Sequence, residues 1–212
     1  MDAPTRTDPP YVPIRTNRWA PHQKAPRWLL LAGALIVVGI VLVALAHKPS
    51  RSQQAGDLNG ALKDMTADIQ SCAGGVDESL LALHRVQAGE NSAANIQATI
   101  KIARYGAANC SPANNELLGD LTQYQVTGSL AAFHLETAVN DLVTWAFPYA
   151  QRVQNDVANQ LGAQDPAKRQ QYAAALRRDT NDLNRQRAKI DKILVKAITT
   201  TGATASPPHL PG

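Results

Sequence analysis

A chain of 212 residues, 44% apolar and 18% charged, allows one ordinary domain plus appendages and has enough apolar content to fold most of its length around a core. The net charge of +4 hides an asymmetry: residues 57–162 hold 11 Asp/Glu against 5 Lys/Arg, and residues 163–212 hold 9 Lys/Arg against 4 Asp. The simplest expectation is that the acidic and basic parts pack together by attraction. The alternative is a basic surface kept for a partner.

Residues 1–27 carry Arg6, Arg15, Arg18, Lys24 and Arg27 against Asp2 and Asp8, and six of the thirteen prolines. They have little periodic apolar content, so a disordered tail is expected. Residues 28–46, WLLLAGALIVVGIVLVALA, contain no charge, proline, hydroxyl or amide side chain. As a helix they would be about 28 Å long, close to the roughly 30 Å of bilayer hydrocarbon. Only a helix could carry this backbone through lipid with every polar group bonded. The excess of Arg and Lys before the run predicts a cytoplasmic N-terminus and an extracytoplasmic remainder. A cleaved signal peptide ending at Ala44-Leu45-Ala46 is the rival, disfavoured by the length of the apolar run and of the leader. The run lacks Gly-x-x-x-Gly and polar glue, so it reads as an anchor contacting membrane lipid.

Residues 47–56, with Pro49, are expected to be a linker, and 57–200 a helical domain. Leu58, Leu62, Met65, Ile69, Cys72, Val76, Leu80 and Leu83 step by three or four, the spacing of one helix face. The phase survives Gly74-Gly75, which argues for one interrupted helix from about 57 to 88, with a break into two helices as the alternative. Gly89-Glu90-Asn91 is a turn, with Asn91 as cap. Ile96, Ile100, Ala103, Ala107 and Cys110 form the second stripe. Ser111-Pro112 interrupts it as an N-cap and N1 pair, and Leu117, Leu121 and Tyr124 continue it. After a turn at Val126-Thr127-Gly128, the residues Leu135, Ala138, Leu142, Trp145 and Tyr149 mark a third helix, bent at Pro148. Gly162-Ala163-Gln164 turns, Asp165 caps, and Pro166 opens a fourth helix buried through Tyr172, Leu176, Leu183, Ile190, Leu194 and Ala197. Residues 201–212, TGATASPPHLPG, read as a frayed tail.

The fold class predicted is all-α: one N-terminal transmembrane helix plus an extracytoplasmic up-down-up-down four-helix bundle with interrupted helices. Cys72 and Cys110 stand about equally far from the turn at 91, so a helical hairpin sets them at one height, both on apolar stripes. An oxidising compartment would join them as a structural disulfide.

No catalytic residue, metal site or cofactor is expected. There is no Glu-x-x-His pair, no Gly-x-Ser-x-Gly elbow, no His-Glu-x-x-His and no Walker loop. Two constellations stand out. A waist is expected where the helix interruptions coincide, and a small-molecule pocket there would draw on Trp145, Phe147, Tyr149, Asn181 and Asp182; the plainer reading is kinks packed by aromatic core residues. A basic stretch with Arg185, Arg187, Lys189, Lys192 and Lys196 would meet anionic headgroups or an acidic envelope polymer; the plainer reading is a solvated face ion-paired with Asp179, Asp182 and Asp191. Nucleic acid is the usual partner of such a run, and the extracytoplasmic placement argues against it. These features imply a non-enzymatic membrane-anchored envelope protein that contacts another protein or the cell surface. The alternative is an extracytoplasmic ligand-sensing bundle, similar in architecture to those of bacterial receptors, acting through a membrane partner. An envelope enzyme ranks third.

Overall fold

The computed structural model describes residues 48–212. The expected tail 1–27, the expected transmembrane helix 28–46 and His47 of the expected linker lie outside these residues. Among the described residues no helix is long and apolar enough to cross a membrane.

The described chain is an all-helical bundle with six α-helices and no strand: α1 (Arg51–Gln87), α2 (Ala93–Asn109), α3 (Glu116–Thr122), α4 (Leu135–Thr144), α5 (Gln151–Gly162) and α6 (Pro166–Thr201). A 3₁₀ turn (Gly128–Phe133) precedes α4, and a wide π-type turn (Trp145–Ala150) joins α4 to α5.

Four of the six helices (α1, α2, α3 and α6) start where a side chain accepts from one of the first free amides. Ser50 accepts from the Gln53 amide at 3.1 Å, and Ser50-Arg51-Ser52-Gln53 has the capping-box pattern. This cap starts α1 six residues before the expected position, so Arg51–Gly56 belong to the helix rather than to a linker. The helix then runs unbroken through Gly74-Gly75. Ser92, not Asn91, caps α2 by accepting from Asn95 at 3.2 Å. Asn115, not Ser111, caps α3, because Ser111 heads a turn that takes the amides of Asn114 and Asn115 on its own carbonyl. Asp165 accepts from Ala167 at 2.9 Å and Pro166 opens α6, as the sequence indicates.

The apolar stripes converge on one core. Leu58, Leu62, Met65, Ile69, Cys72 and Val76 of α1 meet Ile100 and Ala103 of α2, Leu142 and Trp145, Val153 and Val157 of α5, and Leu183, Ile190 and Leu194 of α6. Helix α2 packs chiefly on α1 and α5, and α6 on α5 and α4. At α3 Leu121 is buried and Tyr124 packs against the core, as the spacing predicts, but Leu118 is buried in place of Leu117, which lies on the surface. The non-helical turn at 110–115 separates α3 from α2, so the α2 stripe does not fix which of the two adjacent leucines turns inward.

The C-terminal segment, expected to fray, is seated on the bundle. Asn59 Oδ1 accepts from the amides of Thr204 and Ala205 at 2.9 and 2.8 Å, Arg187 donates to the Leu210 carbonyl at 3.3 Å, and Leu210 is buried. Leu210 supplies an apolar anchor and Asn59 supplies the acceptor that a proline-rich segment cannot find within itself. Arg51 Nε donates to Thr201 O at 3.3 Å, which sets the end of α6 beside the start of α1.

Candidate functional site

The middle of α1 crosses the C-terminal end of α2 at close range. Cys72 and Cys110 lie at disulfide distance, with Cα atoms 4.7 Å apart, and both are fully buried. One turn further along, Gly75 faces Gly106: a methyl group on Gly75 would come within 2.8 Å of Gly106 Cα. Glycine is needed here for close backbone approach, not for turn geometry. The space under the crossing is filled by Gln154 of α5, fully buried, whose Nε2 lies 3.0 Å from Cys110 Sγ. Ser79 donates to Gly75 O at 2.6 Å and lies 3.4 Å from Gln154 Oε1. Gln151 donates to Ala107 O at 3.2 Å, and Asn115 reaches Ser71 Oγ at 2.8 Å. The glycine pair, the end of α2 and the residues just after Pro148 therefore meet at one level.

The five residues expected to share a pocket at that level do not share one environment. Trp145 is wholly buried, and its indole N–H has no partner among the described residues. Phe147, in extended conformation at the kink, is 43% exposed. Tyr149 stacks against the Arg152 guanidinium at 4.8 Å. Asp182 pairs with Arg185 on the surface of α6. Asn181 lines an open groove with Leu80, Leu83, Gln160, Leu176 and Arg177, and none of the three aromatic residues is on its walls. A second open groove of about 710 Å³ runs between α1 and α2 outside the glycine crossing, past Ser71, Gly74, Ile102 and Tyr105.

Two carboxylate clusters have unusual electrostatics. Asp156 of α5 faces Asp179 of α6, and its Oδ2 is buried without a hydrogen-bond partner. Burial, then the adjacent Asp179 carboxyl, push Asp156 up to about 6, against the opposing pull of Arg178 and Arg152. A proton on Asp156 supplies the hydrogen that two facing carboxylates lack. In the second cluster, burial and the charges of Asp64 and Asp120 raise Asp68, and burial with Asp64 and Asp68 raises the Tyr124 hydroxyl. Among the described residues no group of three or more His, Cys, Asp and Glu is placed to hold a metal ion.

The basic residues of α6 divide by face. Arg185, Lys189, Lys192 and Lys196 are exposed, while Arg187 is half-buried and holds the C-terminal segment. Lys189 reaches Gln186 Oε1 at 3.3 Å. Of the three aspartates expected to pair with this stretch, Asp182 meets Arg185, and Asp179 lies 4.0 Å from Arg152 of α5. Among the described residues the one contact between an acid of 57–162 and a basic group of 163–212 is His209 with Asp77, at 3.1 Å.

Gln154, Gly106 and the Asp156–Asp179 pair were missed by sequence reasoning. Gln154 stands between Val153 and Val157 on a helix whose apolar spacing is otherwise regular, and that position was the one available signal. No family model matches the chain, and no curated protein or solved structure is detectably similar to it.

Proposed function

We propose that residues 28–46 anchor the protein in a membrane and that the helical bundle stands on the outer face as an up-down-up-down assembly of four arms. In this reading the arms are α1, α2 with α3, α4 with α5, and α6. The protein is non-enzymatic, and the bundle makes contacts with another envelope protein or with the cell surface. The observation that carries the reading is the buried Cys72–Cys110 pair at disulfide distance, which suits an oxidising compartment. The uncharged stretch 28–46 supports it, and so do the open grooves, which suit a broad partner better than an enclosed small molecule. The ligand-sensing alternative would need the aromatic residues of the waist to line a common cavity with Asn181.

The test is a pair of topology reporters fused after Gly212, one active only outside the cytoplasm and one only inside. Activity of the outer reporter, with both cysteines resisting alkylation until reduced, is the expected result. Activity of the inner reporter alone would refute it.

A further inference from the structure

On α6, Arg178, Arg185, Lys189, Lys192 and Lys196 are all exposed. At about 100° per residue they fall within an arc of about 60°, roughly 150° round from the stripe of Leu176, Leu183, Ile190 and Leu194 that faces the core. Asp182 lies just beyond one edge of that arc, and Asp179 and Asp191 lie roughly 80° or more beyond its edges. Among the described residues, Arg185 alone of the five meets a carboxylate. The cations thus form a straight outward ridge about 27 Å long.

We propose that this ridge is a docking surface for anionic lipid headgroups of the membrane in which the anchor sits. This rests on reading 28–46 as the anchor. Two observations favour lipid as the occupant. First, the contact between Arg51 and Thr201 places the C-terminal end of α6 beside the start of α1, five residues after the apolar stretch ends. Lys196 and Lys192 then lie about 8 and 14 Å from that end. Second, the five charges are spread along a line rather than gathered into a cradle, which suits a planar array of charges. Each would gain from the negative surface potential, and the gain would fall with added salt.

The test labels the full chain, reconstituted into vesicles, with a membrane-impermeant lysine acetylating reagent and reads each lysine by mass spectrometry. Lys63, Lys101 and Lys168, exposed elsewhere on the bundle, are the internal references. In vesicles with about a third phosphatidylglycerol, Lys189, Lys192 and Lys196 should react at least three-fold more slowly relative to the references than in pure phosphatidylcholine. Half-molar salt should remove the difference. Equal relative labelling in both vesicles overturns the proposal. So does protection by soluble polyglutamate on neutral vesicles without protection by phosphatidylglycerol, which would assign the ridge to an acidic polymer. The anchor is tested separately, by flotation with neutral vesicles after an alkaline wash. If flotation fails, the anchor reading falls, and the ridge is judged by the same labelling on protein added to preformed vesicles.

Discussion

Replacing Gly106 by alanine tests whether the α1–α2 crossing is as close as described. The new methyl would overlap the Gln154 carboxamide and stand 3.1 Å from Gly75 Cα. At an unconstrained helix position the same change gains about 1 kcal/mol, because glycine has more backbone freedom to lose. Here it would expel Gln154 from a fully buried place and break its contacts with Cys110 and Ser79. Overpacking costs about 1–3 kcal/mol, and a buried amide left without partners costs about 1–3 kcal/mol more. With the propensity gain subtracted, Gly106→Ala should destabilise the fold by about 1–5 kcal/mol. Urea unfolding of the full chain in mild detergent, followed by far-ultraviolet circular dichroism, measures it.

The companion variant Gln154→Ala removes the colliding group. It should cost about 1–3 kcal/mol alone through lost packing and polar contacts. The double variant should then be more stable than the two separate losses predict, by about 2 kcal/mol. Additivity within about 0.5 kcal/mol, or stabilisation by Gly106→Ala alone, would mean that α1 and α2 do not touch at these glycines.

Other expectations follow from individual groups. Changing Cys72 and Cys110 together to alanine should lower stability by about 4 kcal/mol, the chain-entropy value for the 38-residue separation; a denaturant midpoint equal to that of the oxidised parent would refute it. Asp156 has a folded value of about 6 against an ordinary 3.8, so the folded chain holds this proton more tightly. Its contribution is therefore greatest below about pH 4 and is lost as pH rises through 6. Asp156→Asn should stabilise at pH 7.5 by on the order of 1 kcal/mol, allowing for solvent screening, and change little at pH 4; equal effects at both pH values would refute the assignment. Trp145→Phe, which removes a buried donor without a partner, should cost much less than Trp145→Ala, for which about 3–5 kcal/mol is expected. Leu210→Ala should speed amide hydrogen exchange at Thr204 and Ala205, whose amides are held by Asn59; unchanged protection there would separate the tail from its anchor.

What the sequence made legible was whatever depends on local repetition. The stripes of α1 and α6, the Asp165-Pro166 start and the common height of Cys72 and Cys110 follow from helical period and from counting outward from a turn. What it concealed depends on contacts distant in the chain. Asn91 and Ser92 are both competent caps, and the choice between them is made by the register of the helix that follows. The apolar phase carries one helix through Gly74-Gly75, but the need for glycine at 75 shows only when Gly106 is placed opposite, 31 residues on. The end of the chain looks like a disordered tail because its proline and glycine content says nothing of Asn59, 145 residues away. The waist residues were grouped by height alone, and height does not decide whether a side chain points inward, as in Trp145, or outward, as in Phe147.

The charge asymmetry of the chain takes on a different meaning in the fold. An acidic first part and a basic last part suggested electrostatic pairing between them, yet the helices meet through leucine, isoleucine, alanine and valine. Among the described residues two surface pairs cross that divide: His209 with Asp77, where the histidine adds charge only when protonated, and Arg152 with Asp179, in which the first part supplies the cation. Exposed ion pairs contribute roughly 0–1 kcal/mol each, whereas burying one large apolar side chain contributes about 1.5–3 kcal/mol, so the core sets the packing and the charges are free to serve another purpose. On α6 the core stripe and the cationic ridge are two faces of one repeat: residues that keep Leu183, Ile190 and Leu194 inward keep Arg185, Lys189, Lys192 and Lys196 outward. Changing Lys189, Lys192 and Lys196 to glutamine should therefore leave the unfolding midpoint within about 0.5 kcal/mol of the parent. A large loss of stability would mean that these lysines hold the bundle together rather than face a partner.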